Sequence, residues 1–179
     1  MTDQIRFRLA TPEDVPALQD LIARSARGLS EPYYTREQTE AAIRYVFGVD
    51  SQLIRDATYY LAERDGPPIA CGGWSRRRSL YGGDQTRKDA DPALDPAREP
   101  ARLRAFFVDP SAARKGLGRS LIELCAAAAR DWGFRALELA STLPGVPLYR
   151  ATGFIEVESF DIEFPGGVRL PLVRMRREL

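Results

Sequence analysis

"RLRAFFVDPSAARKGLGRSL" runs from Arg102 to Leu121, and the reading of the fold turns on how this stretch divides. Its first seven residues alternate as a strand does, with Leu103, Ala105 and Phe107 on one face and Arg102, Arg104 and Phe106 on the other. Asp109-Pro110 ends that strand. From about Gly118 to Trp132 a helix is expected, with Leu117, Leu121, Cys125, Ala128 and Trp132 on one apolar stripe and Gly133 at its exit. A short basic connection with two glycines, Arg114 to Arg119, lies between strand and helix. That arrangement makes an anion site. First-turn amides have no intrahelical acceptor, the helix dipole favours negative charge, and glycine admits phosphate oxygens to the backbone. Arg114, Lys115 and Arg119 add charge-assisted hydrogen bonds.

Outward from this stretch the chain reads as alternating strands and helices. Ile5 to Leu9 alternates like a half-buried strand, and Thr11-Pro12 opens a helix whose apolar face carries Val15, Leu18, Leu21 and Ile22 and ends near Gly28. "TREQ", Thr35 to Gln38, is a capping box that begins a second helix through Ala41, Ala42 and Tyr45. "ATYYLAERDGPPIACGGW" predicts two strands joined by a turn at Asp65 to Pro68. Gly82 to Pro100 has almost nothing to bury and reads as a long flexible loop inside one domain. After the central helix, "ALELAS" is a strand and "PLYRA" a short helical turn, and two final strands pair around Pro165-Gly166-Gly167. The order β-α-α-β-β-β-α-β-α-β-β is mixed α/β: one domain over residues 1–179, with helices packed on a single mixed sheet.

Composition narrows the chemistry. At 179 residues, 26 Lys and Arg nearly cancel 25 Asp and Glu, so no whole-molecule field recruits nucleic acid or an acidic membrane surface. No apolar run reaches spanning length, and the first ten residues carry no hydrophobic signal core. Cys71 and Cys125 sit in apolar stretches without metal spacing, which fits a reducing cytoplasm. Histidine is absent, which removes Ser–His triads, His-ligated metals and imidazole bases. Catalysis is left to Tyr, carboxylates, Cys, Lys, Arg or backbone amides. A metal is not expected.

The glycines admit two readings of the phosphate. The P-loop pattern is missing. A dinucleotide fingerprint is approximated by Gly116-x-Gly118 with Glu138 twenty residues on, which would make the chain a dinucleotide-binding oxidoreductase. Leu121 stands where a third small residue belongs, and the strand ends at Val108, well short of Gly116. This remains the alternative reading.

"FFVDPSAARKGLGRSLIELC" with "PLYRATGF" some thirty residues later resembles the acetyl-coenzyme A signature of GNAT-type N-acetyltransferases. The opening strand and "TPEDVPALQDL" resemble that family's start, so the likeness spans nearly the whole chain, with Gly82 to Pro100 least typical. One departure is Ala113, at the position usually held by Gln or Arg. The resemblance implies a mostly antiparallel mixed sheet and direct transfer of acetyl from acetyl-coenzyme A to an amine, without an acyl-enzyme. It also implies that amides near Phe107 and Val108 hold the pantetheine and those of Arg114, Lys115, Gly116, Leu117, Gly118 and Arg119 hold the pyrophosphate. Tyr149 then protonates the leaving thiolate, unless it is simply an aromatic packed on Phe154. Tyr33 and Tyr34 are expected in the acceptor pocket, and Arg102 and Arg104, near Arg76 to Arg78, suggest an acceptor bearing a carboxylate or phosphate. Glu63, Asp109 and Glu138 are the candidates for a general base; Cys125 reads as core. The acceptor is a small-molecule or peptide amine, and the chain a monomer or homodimer. A coenzyme-binding protein without turnover is a further alternative.

Overall fold

The computed structural model describes residues 4–179. Seven strands form one sheet: β1 (Arg6–Leu9), β2 (Tyr59–Glu63), β3 (Pro68–Ser75), β4 (Ala101–Val108), β5 (Ala136–Thr142), β6 (Ile155–Glu163) and β7 (Arg169–Glu178). Their order is β1-β2-β3-β4-β5-β7-β6, and every neighbouring pair is antiparallel except β4 with β5. A doubly wound dinucleotide fold needs a mostly parallel sheet, so the alternative reading fails on topology.

Five α-helices pack on this sheet: α1 (Val15–Leu29), α2 (Arg36–Tyr45), α3 (Ser51–Arg55), α4 (Leu117–Asp131) and α5 (Val146–Ala151). The capping box at α2 forms as read: the Gln38 amide donates to Thr35 Oγ1 at 3.1 Å and the Thr35 amide to Gln38 Oε1 at 2.9 Å. Helix α3 has no apolar period long enough to signal it, and the buried Asp50 carboxylate caps it by accepting from the Gln52 amide at 3.1 Å. Alternating residues of β2 and β3 serve the two faces. Tyr59, Leu61 and Cys71 pack with Leu18, Leu21, Ile22 and Leu53 of α1 and α3, whereas Ala62 and Ala70 pack with Leu117 and Leu121 of α4.

The buried face of α4 is rotated from the expected stripe. Ile122, Cys125, Ala126 and Ala129 fill the core, while Trp132 is 54% exposed and lies under the Arg76 guanidinium, 4.5 Å from its ring centroid. Segment 82–100 is also tied down at several points. Leu94 enters the core beside Trp74, Ala93 bridges to Arg77, and Arg87 forms a two-point ion pair with Asp50 at 2.7 and 3.0 Å. Composition hides this because one apolar residue, one backbone bridge and one ion pair, all with partners distant in sequence, do the tying. Among the described residues, no helix is long and apolar enough to cross a membrane.

Candidate active site

The alternation read across Arg102 to Val108 breaks at Ala105. Cys71 pairs with Phe107 but Gly73 with Arg104, so Ala105 and Phe106 together oppose Gly72, and Ala105 takes a left-handed φ of +55°. This bulge inserts one residue and flips every side chain beyond it. Leu103 and Phe106 therefore face α4, while Ala105 and Phe107 face α1 and α3, which corrects the two-face assignment. The strained Ala105 is held by its carbonyl, which accepts from the Tyr59 hydroxyl at 3.3 Å. Gly72 makes room for the kink: a Cβ there would stand 2.8 Å from the Phe106 ring. Two glycines inside a strand pattern were the available signal for the bulge.

A bulge bends its strand, and here β4 leaves β5. The two pair at Ala101–Leu137 and Arg102–Glu138 and nowhere further along. Between the parted strands opens a cavity of about 710 Å³, walled by Leu103 to Val108 on one side and Leu139, Ala140 and Thr142 on the other. Both strand edges there carry backbone groups without a ladder partner. The Val108 amide donates to the Ser25 hydroxyl of α1 at 3.2 Å.

At one end of this wedge, α4 presents its N-terminus. The first backbone bond of the helix runs from the Ser120 amide to the Gly116 carbonyl at 3.0 Å, so the amides of Arg114 to Arg119 have no intramolecular acceptor among the described residues. Gly116 caps the helix at φ +85°, and nothing lies within 4 Å of where its Cβ would be. Gly118 does a different job: a Cβ there would meet Leu148 Cδ2 at 2.7 Å, so its absence lets α5 close on the first turn of α4. Among the described residues Arg114 has no ion-pair partner, Arg119 reaches the Ala151 carbonyl at 3.2 Å, and the Lys115 ammonium donates to the Ser111 carbonyl at 3.0 Å and lies off the cavity wall. Six open amides beside two arginines are donors of the kind that bind anions.

Tyr149 of α5 stands in the cavity wall beside Phe106 of the bulge. Its ring packs edge-on against Phe154 (5.6 Å) and Phe106 (6.4 Å), so the packing expected from sequence is present. The hydroxyl, however, has no hydrogen-bond partner among the described residues. Burial holds its phenol well above the ordinary value, with nearby Cys125 adding to the rise. The group is a neutral proton donor throughout the working pH range.

A splayed β4/β5 pair, an open-amide helix start and a facing tyrosine coincide with an independent comparison of sequence. Residues 16–154 match the model of the acetyltransferase (GNAT) family. The chain belongs to the GNAT acetyltransferase family. No curated protein matches it. Among solved structures, a GCN5-related N-acetyltransferase of Rhodopseudomonas palustris aligns over 100% of this chain and 99% of its own, at TM-score 0.72 and 17% identity. PaiA N-acetyltransferase of Thermoplasma acidophilum, solved with coenzyme A, aligns over 98% and 99% at TM-score 0.66 and 15% identity. The ribosomal-protein-alanine N-acetyltransferase of Brucella melitensis gives 97% and 99%, TM-score 0.63 and 20% identity. At such identities these likenesses speak to the fold.

Elsewhere around the cavity of this GNAT domain the residues expected to meet an acceptor separate. Tyr33 lines the cavity and is 48% exposed. Tyr34 is buried and ties β7 to the turn after β5: its hydroxyl donates to the Pro171 carbonyl at 2.6 Å and accepts from the Leu143 amide at 2.9 Å, and burial pushes its pKa up to about 12. Arg104 reaches the cavity wall, but its guanidinium meets Asp50 at 3.0 Å and Asp91 at 3.6 Å and donates to the Gly82 carbonyl. Arg102 turns away to Glu138 at 2.8 Å, Arg76 and Arg77 face Asp56, and Arg78 faces Glu99. The arginine cluster is thus matched by carboxylates.

The three carboxylates weighed as bases also stand outside the cavity. Glu63 holds Arg8 at 3.0 Å on the β1/β2 edge, Asp109 holds Arg24 at 3.1 Å, and Glu138 holds Arg102. Hydrogen bonds from Ser111, and then Arg24, keep the Asp109 carboxyl below its usual range despite partial burial. Sequence reasoning missed Ser25, Phe47, Leu80, Tyr81 and Leu172, which complete the wall from four separate elements or loops. Cys71 and Cys125 are both fully buried, and burial drives their thiol pKa values up, to about 12 for Cys71, so neither is a nucleophile.

Proposed function

We propose that this protein transfers acetyl from acetyl-coenzyme A to an amine within a ternary complex. The observation that carries the reading is the wedge itself, with open amides at one end and the partnerless Tyr149 hydroxyl in its wall. The amides of Arg114 to Arg119 take the diphosphate, with the Arg114 and Arg119 side chains beside it and the Lys115 ammonium turned to the Ser111 carbonyl. The pantetheine lies along the unpaired edge of β4, where the Val108 amide exchanges its Ser25 partner for it, while the Phe107 amide stays turned to Cys71 of β3 and its ring lines the cavity. The acetyl group then sits at the bulge, beside Tyr149.

The acceptor nitrogen attacks the thioester carbonyl, the C–N bond forms, and the C–S bond breaks as the adduct collapses. Tyr149 gives its proton to the departing sulfur, and the proton lost by the new amide nitrogen restores the phenol. The high phenol pKa suits this role, because the tyrosine is always loaded. Tyr33 walls the acceptor side; Arg104 serves it indirectly, by fixing Gly82 and Tyr81 against the cavity. The cytoplasm, where reduced thiols and the coenzyme coexist, is the compartment this reading takes. Coenzyme A should raise the melting temperature by mass action, and thiol should appear in step with acetylated amine. A protein stabilised by a nicotinamide dinucleotide and not by the coenzyme would refute the reading.

A further inference from the structure

We infer that the acceptor enters as a neutral, weakly basic amine on an apolar body, and not as an ammonium ion. This rests on the proposed function and deepens it to a substrate class. Among the described residues, the cavity wall contains no Asp, Glu or Lys, and the chain contains no histidine. The ionisable groups that face the space are Tyr33 before α2, Tyr81 after β3, Arg104 of β4, Arg114, Arg119 at the start of α4, and Tyr149 of α5. From β5 and β7 come Leu139, Ala140, Thr142 and Leu172, which do not titrate.

Two acids behind the wall face the Arg104 guanidinium. Asp50 is fully buried and shared between Arg87 and Arg104, and Asp91 is buried beside Arg104 and accepts from the Ser79 amide at 2.9 Å. An ammonium brought into this space gives up hydration and finds no carboxylate on the wall to replace it. No side chain on the wall can take its proton at neutral pH. The proton therefore stays in solvent, and the neutral amine, whose lone pair is already free for attack, is what binds. Phe47, Leu80, Leu172 and the tyrosine rings offer such an amine an apolar body to pack against.

The consequence is a preference set by acceptor basicity. At pH 7 an amine of pKa about 8 is neutral roughly 200-fold more often than one of about 10.4, so α-amines and arylamines are favoured over lysine-like amines and polyamines.

Two titrations separate this inference from the function it rests on. Coenzyme A titrated into the protein tests the function alone. Ring-bearing primary amines, titrated calorimetrically with and without coenzyme A in buffers of different ionisation heat, report protons released per amine bound. Release of close to one proton per alkylamine at pH 7 is expected, since about 99.9% of it is protonated when free. Zero release means the ammonium binds, and overturns the inference. In turnover, kcat/KM should rise tenfold per pH unit up to the pKa of each amine, with the break moving from amine to amine. A break at one fixed pH for all acceptors, or a polyamine preferred over a ring-bearing monoamine at pH 7, would overturn it equally.

Discussion

Replacing Tyr149 with Phe removes one oxygen from the wedge and nothing else. The ring keeps its edge-on contacts with Phe106 and Phe154. Because the hydroxyl has no partner among the described residues, its loss breaks no hydrogen bond in the free protein. Deleting a tyrosine hydroxyl that ties a fold together costs about 1 kcal/mol, as Tyr34→Phe should, with its bonds to Pro171 and Leu143. Tyr149→Phe should instead leave the melting temperature unchanged or slightly higher. Its cost should fall on chemistry: kcat lower by about a hundredfold, or about 2.7 kcal/mol of barrier, with the coenzyme dissociation constant nearly unaltered. The phenol pKa bears on the pH profile. Raised by burial, it keeps the acid protonated through the ordinary phenol range, so wild-type kcat should show no falling limb below about pH 10. Thermal denaturation and a thiol-release assay, run side by side on the two proteins, decide the matter. A folded Tyr149→Phe enzyme with full kcat and lowered stability would make Tyr149 a structural residue and end its role as the acid.

Gly116→Val should cost about 1–2 kcal/mol through its left-handed φ of +85°, without any steric clash, and weaken coenzyme binding at least tenfold by calorimetry. Unchanged affinity would move the diphosphate away from the start of α4. Asp50→Ala strands Arg87 and Arg104 in the interior, so the loss should be about 3–5 kcal/mol, or a fall of about 10 °C in Tm. In the fraction that remains folded, KM for the acceptor should rise while coenzyme affinity holds, because Arg104 positions Gly82 and Tyr81 and not the diphosphate cradle. A Tm within 2–3 °C of wild type would show that the buried ion network contributes little.

Much of this protein is written locally. The capping box at Thr35, the hairpin turns at Asp65 to Pro68 and at Gly166-Gly167, and the glycine-basic entry to α4 are short-range signals, because turn and cap chemistry is decided within a few residues. The same locality made the open amides of Arg114 to Arg119 legible, and the order of elements already implied one mixed sheet. Three features needed the tertiary structure. The bulge at Ala105 depends on Gly72 across the strand pair and on the Tyr59 hydroxyl that holds the strained carbonyl, neither of which the alternation of Arg102 to Val108 reveals. Segment 82–100 looked unburied because most of its anchors are polar, the ion pairs of Arg87 with Asp50 and of Asp91 with Arg104 and the Arg77 bond to the Asp91 carbonyl, and such groups declare no partner until the chain has folded. The acid-free cavity was equally invisible: each carboxylate weighed as a base carries that capacity by residue type, and only packing decided that Glu63, Asp109 and Glu138 would spend their charge on arginines outside the wedge. Backbone propensity acts over a few residues, whereas the pairing of buried charges and the parting of two strands are settled by groups tens of residues apart.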